Sequence, residues 1–157
     1  MLTHARLIAD LVILDMPAGG GPLFEKLIRS GGVDEVLLVT TDAPTSVRAA
    51  EKCGMLLSDI GIKKTSLIIN GYHVDKPKQN SAGLWSMLES VSLPAAGVIP
   101  YDPVVGLSLR MGKPVTAMNR SPAGLAVENI FMRLAGETVP LLDGVISKRK
   151  RKKLFTV

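Results

Sequence analysis

Four short apolar runs in this 157-residue chain stop on residues able to do chemistry. Leu11-Val12-Ile13-Leu14 stops at Asp15, and Val36-Leu37-Leu38-Val39 stops at Thr40, Thr41 and Asp42. Leu67-Ile68-Ile69 stops at Asn70, and Ala96-Gly97-Val98-Ile99 stops at Pro100, Tyr101 and Asp102. Runs of this length, bounded by turn residues, read as buried strands. In an open parallel sheet, ligands gather outside the carboxyl ends of the strands. An amide such as Asn70 offers a donor and an acceptor together, which suits a heterocycle such as adenine. A strand-end carboxylate such as Asp15 suits Mg²⁺, directly or through water. The same residue types also cap helices and shape turns. Spacing alone leaves both readings open.

Helical patterns separate the runs. Pro22 opens a helix with Leu23, Phe24, Leu27 and Ile28 on one face, closed by Gly31-Gly32. Pro44 opens a longer helix striped by Val47, Ala50, Cys53, Leu57 and Ile60, stopped by Gly61. Leu84, Met87, Leu88 and Val91 predict another, and Val104, Leu107 and Met111 a short one before Gly112. Ser121 reads as the cap of a last helix, with Pro122 in its first turn, running to about Ala135. Pro114-Val115 reads as a short edge strand, where a proline is tolerated. The polar stretch from Tyr72 to Asn80 reads as a loop. Strands alternating with helices predict an α/β fold: a mostly parallel sheet with helices on both faces. Residues 1–140 read as one domain and 141–157 as a basic tail.

Composition narrows the function classes. Hydrophobic residues make up 46% of the chain and aromatics only 4%, so aliphatic side chains must fill the core, as in sheets buried on both faces. The net charge of +5 is a property of the tail. Lys148, Arg149, Lys150, Arg151, Lys152 and Lys153 are consecutive, which leaves 13 basic residues against 14 acidic ones. A lone cysteine, Cys53, excludes a disulfide or a cysteine-based metal site within the chain, and reads as a small buried hydrophobe. His4 and His73 show no ligand spacing. No apolar run approaches the roughly 20 residues of a bilayer span. The first residues lack the layout of a signal peptide, so a cytoplasmic location is expected.

Several segments resemble the MinD/ParA family of P-loop ATPases. Asp10-Leu-Val-Ile-Leu-Asp15-Met-Pro-Ala-Gly19 is similar to the family's Walker B and switch II segment, an apolar strand followed by D-x-P-A-G. Val36 to Arg48 resembles its next strand and helix start, and Leu67-Ile-Ile-Asn70 the strand whose terminal Asn contacts adenine. Gly97-Val-Ile-Pro-Tyr-Asp102 resembles G-V-I-P-x-D, and Arg110-Met-Gly-Lys-Pro-Val115 the x-x-G-x-P-V that follows. Ser121-Pro-Ala-Gly124 with Glu128-Asn-Ile130 is similar to the family's last helix. The likeness spans roughly residues 8–140, in the family's order.

This resemblance implies a MinD-like P-loop NTPase fold, truncated at its N-terminal side. It implies ATP and Mg²⁺ as ligands and a role in division-site placement. Asp15 would assist Mg²⁺ and water, and Gly19 would sit in a switch loop close to phosphate. Asn70, Pro100, Tyr101 and Asp102 would lie at the adenine. The pattern departs from the family at one place: no Gly-rich turn ending in G-K-S/T occurs in the sequence. Gly19-Gly20-Gly21 runs into Pro22, and Gly112-Lys113 into Pro114. Weak or no hydrolysis by the chain alone is the expectation, because the phosphate clamp supplies most of the rate in phosphoryl transfer. In the family the P-loop strand lies between the Walker B strand and the strand at Val36. Without it, Leu11 to Leu14 must pair directly with Val36 to Val39, borrow a strand, or lack order. Self-association, or a separate N-terminal half, is therefore expected.

The family also implies partners among cell-division regulators and a membrane-targeting C-terminus. Val145, Ile146, Leu154 and Phe155 flank the six tail cations. Such clusters are drawn to anionic lipid, at the inner face of the membrane here. A solvated tail and phosphate contacts to nucleic acid are the alternatives. Two other functional readings remain: a nucleotide-independent module binding partners or membrane, and a related flagellar-number or metallocentre-assembly ATPase. The single cysteine weighs against metal delivery through a C-x-C or C-x-x-C pair.

Overall fold

The computed structural model describes residues 2–19, 21–74, 83–139 and 141. The basic tail, Lys148 to Lys153, and most of the polar stretch after Tyr72 lie outside the described residues. The described elements are α1 (Leu2–Ile8), α2 (Pro22–Arg29), β1 (Val36–Thr40), α3 (Pro44–Ile60), β2 (Thr65–Tyr72), α4 (Leu84–Val91), β3 (Ala95–Pro100), α5 (Pro103–Arg110) and α6 (Pro122–Leu134). A turn of 3-10 helix, Val115–Ala117, precedes α6.

Three strands form one parallel sheet in the order β1-β2-β3. The central strand β2 is covered on both faces, which is why its apolar run does not alternate with polar residues. Leu67 and Ile69 face the layer built by α3 and α4, in a core with Val47, Ala50, Met87, Val91 and Val98. Ile68 faces the opposite way and packs with Ala96 and Ile130 of α6. Helices thus lie on both sides, as expected from the alternation of patterns. A smaller cluster of Ile28, Val36 and Leu57 seats α2 against α3 and β1.

The punctuation residues act where the sequence places them. Pro22, Pro44, Pro103 and Pro122 each stand in the first turn of a helix, where a missing N–H costs nothing. Gly61 closes α3 in the left-handed conformation, φ 85°. Cys53 is buried on α3, and burial pushes its thiol above the ordinary range. From the last turn of α6, the Arg133 guanidinium donates to the Ala96 and Val139 carbonyls, tying the departing chain to the start of β3.

Three expectations are corrected. Leu11 to Leu14 forms no strand: the chain from Ala9 to Pro17 has no helix or strand, and Leu11 is 69% and Ile13 82% exposed. An apolar run becomes a strand only through a ladder partner, and the run pairs neither with β1 nor with any other described strand. Pro114-Val115 is not an edge strand, because Val115 enters the 3-10 turn. The third correction concerns Asn70. It does not end its strand, since β2 runs on to Tyr72 through a register shift at Gly71, whose φ of 71° suits glycine.

β1 is left as an edge. Its outer side has no neighbouring strand among the described residues. Leu37 and Val39, on the α6 side, are exposed, Val39 by 58%.

Candidate functional site

Because all three strands are parallel, their carboxyl ends meet at one edge. β1 delivers Thr40, Thr41 and Asp42; β2 delivers Tyr72 and His73; β3 delivers Pro100, Tyr101 and Asp102. Backbone and side chains lace these ends together. The Tyr101 N–H donates to the Tyr72 carbonyl at 2.8 Å. The His73 N–H donates a long hydrogen bond to Asp42 Oδ2 at 3.5 Å, and His73 Nδ1 lies 3.5 Å from the same oxygen. The imidazole stacks on the Tyr101 ring, with centroids 4.7 Å apart and planes 15° from parallel. Behind them the Tyr72 phenol is buried, and burial pushes its ionisation above the usual tyrosine value.

Asp102 is the most heavily engaged polar group of this edge. It is the N-cap of α5, its Oδ1 accepting from Val104 N at 2.9 Å. Its Oδ2 accepts from Ser121 Oγ at 2.7 Å and from Ala123 N at 3.3 Å. Ser121 Oγ in turn accepts from Gly124 N at 3.0 Å, capping α6. One buried carboxylate therefore holds the first turns of two helices. Burial pushes its pKa up, but the bonds from Ser121, Val104 and Ala123 outweigh it and leave the carboxyl below the usual carboxylate range. Asn70 and Tyr101, the latter 60% exposed, are among the exposed residues of this edge, beside the buried Pro100.

Asp15 and Gly19 are placed differently. Both lie on the exposed irregular segment before α2, and no hydrogen bond or ring contact among the described residues joins them to the strand-end cluster. Gly19 has φ 88°, a conformation that L side chains rarely adopt, and open space where a Cβ would stand. No group of three or more His, Cys, Asp or Glu able to hold a metal occurs among the described residues. Asp15 is a single exposed carboxylate on this segment. Tail cations Lys148 to Lys153 lie outside the described residues.

Sequence reasoning missed His73. A single histidine carries no spacing signal, and its partners Asp42 and Tyr101 are 31 and 28 positions away. Only the parallel register brings the three together. A separate shallow groove of about 500 Å³, between Thr116 and the start of α6, is lined by Arg120, Leu125 and Glu128 among others and includes none of the strand-end ligand candidates.

Comparison with known proteins places this architecture. No family model matches the chain. It is 32% identical over 136 residues to the septum site-determining protein MinD of Synechocystis sp., a stretch covering 85% of this chain and 50% of that protein. It is 34% identical over 150 residues to the chloroplastic MinD homologue of Arabidopsis thaliana, covering 94% of this chain and 45% of that one. Among solved structures, MinD in the MinC:MinD cell division protein complex of Aquifex aeolicus matches with a TM-score of 0.78 at 23% identity, over 88% of this chain and 57% of that one. MinD complexed with Mg-ADP from Pyrococcus horikoshii matches at 0.70 and 21% identity, over 94% of this chain and 57% of that one. The chain spans about half the length of the curated relatives it matches. In sequence and fold the chain is similar to the MinD septum site-determining proteins over about half of their length.

Proposed function

We propose that this chain provides the base-binding half of a MinD-like ATP site that serves division-site placement. One observation carries the reading. The strand edge that presents Asn70, Pro100, Tyr101 and Asp102 is built by segments that follow the order of the MinD motifs. In this reading the Asn70 amide hydrogen-bonds the edge of adenine, with Pro100 and Tyr101 beside the base. Asp102 acts by fixing α5 and α6, which frame the edge. Asp15 assists Mg²⁺ through water, and Gly19 lets backbone come close to phosphate. Bound Mg²⁺ and a P-loop supply the electrostatic clamp on the transferring phosphoryl group. The chain's own residues bind and orient the base.

Turnover of Mg-ATP by this chain alone is expected to stay at the uncatalysed background, and to rise when a chain carrying a MinD-type P-loop is co-expressed with it. A phosphate-release assay on both preparations reads this directly. Turnover by the chain alone would contradict the division of labour.

The open β1 edge favours association with a second copy or with a P-loop-bearing half. Light scattering is expected to show species larger than the monomer, and Val39→Lys to shift them towards it, because a charge on an edge strand opposes strand addition. A monodisperse wild-type monomer would count against this. The same edge supports the second reading, a nucleotide-independent module that engages protein partners. The partner of MinD in the Aquifex complex, MinC, illustrates the class of division regulator expected. No helix among the described residues is long and apolar enough to cross a membrane. Residues 1–140 are taken as the nucleotide domain and 141–157 as a tail. Lys148 to Lys153 would bring that tail to anionic lipid at the cytoplasmic face.

A further inference from the structure

We infer that His73 is a positioning residue, which, anchored by Asp42, fixes the Tyr101 ring so that its free face stacks on the base of a bound nucleotide. The inference rests on the reading of the strand edge as a base site, and it adds how the stacking surface is built. The Tyr101 backbone is held by Tyr72, but its side chain is exposed, and the ring contact found for it is the imidazole of His73. The imidazole covers one face of the ring at 4.7 Å and nearly parallel. Tyr101 is 60% exposed, which leaves surface of the residue available to a planar group. A phenol at a loop start would otherwise rotate about its side-chain torsions, and ordering it on binding would weaken the complex.

His73 is itself held from two directions. Its backbone N–H and its Nδ1 both approach Asp42 Oδ2, and Asp42 stands at the head of α3, just beyond β1. The ends of β1, β2 and β3 are thus joined in one chain of contacts, carboxylate to imidazole to phenol. Aromatic stacking on bases tolerates any base, since every base has a flat face. Selectivity for adenine would rest with the Asn70 amide, and Tyr101 would add affinity.

The test is calorimetric titration of Mg-ATP into the wild-type chain and into His73→Ala, His73→Phe and Tyr101→Leu. Thermal unfolding and the His73 ring-proton resonances are recorded alongside. His73→Ala is expected to weaken binding about tenfold, as loss of an ordered base stack does. His73→Phe keeps a flat ring against Tyr101 and is expected to recover most of the affinity, which a merely structural role for the histidine would not explain. In unliganded Tyr101→Leu the His73 ring protons are expected to move downfield as the ring current is lost. Wild-type binding with His73→Ala unchanged would overturn this inference and leave the base site standing. No binding of Mg-ATP by the wild type would overturn both. Equal losses in His73→Ala and His73→Phe would overturn the stacking role.

Discussion

Asp102→Ala is expected to lower the unfolding free energy by about 3 kcal/mol, since it removes the cap of one helix and strands buried donors of another. The substitution leaves Val104 N, Ala123 N and the buried Ser121 hydroxyl without their acceptor. An N-cap is worth about 1 kcal/mol, and each buried donor left unpaired costs about 1–3 kcal/mol. Asp102→Asn keeps one carbonyl oxygen and should cost less, about 1–2 kcal/mol, since hydrogen bonds to charged groups are the stronger ones. Urea denaturation of the three proteins measures both numbers. The pH dependence follows from the same bonds. The folded-state pKa lies below the ordinary value of 3.8, so the stability Asp102 provides is present above that value. It is lost as pH falls through 3.8 and on through the lower folded value. Asp102→Asn should therefore flatten the acid limb of the stability curve. A variant with an unchanged acid limb would show that the carboxylate does not carry these contacts.

Gly124→Ala is expected to cost about 2–3 kcal/mol, although alanine is the better helix former by about 1 kcal/mol. A Cβ at this position would stand 2.6 Å from the Val115 carbonyl oxygen and 3.2 Å from its carbon. These are backbone atoms of the 3-10 turn packed against α6, so no rotamer change relieves the overlap. Either α6 or the turn must move, and the Gly124 N–H bond to Ser121 Oγ moves with it. Gly97 differs in kind: a Cβ there would meet the Ile130 side chain at 2.1 Å, which can turn away at a packing cost. Thermal unfolding of Gly124→Ala checks the expectation, and a rise in melting temperature would contradict the close approach of α6 to the turn.

Much of the fold was legible because its punctuation is local. A proline in a first helical turn or a glycine at a helix end acts through its own φ, whatever surrounds it. That is why α2, α3 and α6 begin where the sequence marks them. The continuous apolar runs at 36–39, 67–69 and 96–99 were legible as strands because each found a parallel neighbour. The run at 11–14 has the same composition and no such neighbour, so the same signal gave an exposed segment. Strand existence is decided by pairing, which no window of sequence contains. Asn70 shows a smaller failure of the same kind. Apolarity ends there, yet the ladder continues past Gly71.

The candidate site was legible as an edge and not as a set of contacts. The ends of β1 and β3 fall where the motifs place them and that of β2 two residues later, and a parallel sheet gathers these carboxyl ends together. Asp102 stood out in the sequence as a residue with chemistry, and the structure shows its oxygens already bonded to α5 and α6. His73 and Asp42 meet across 31 positions, through the pairing of two strands. A lone histidine in a polar stretch gives no hint of that meeting.

The central claim, that this strand edge binds the base of ATP, is tested most directly by titrating Mg-ATP calorimetrically into the wild-type chain and into Asn70→Ala. Saturable binding by the wild type, weakened at least about tenfold by loss of the Asn70 amide, is the expected result. Absence of wild-type binding, or binding indifferent to Asn70→Ala, would contradict it.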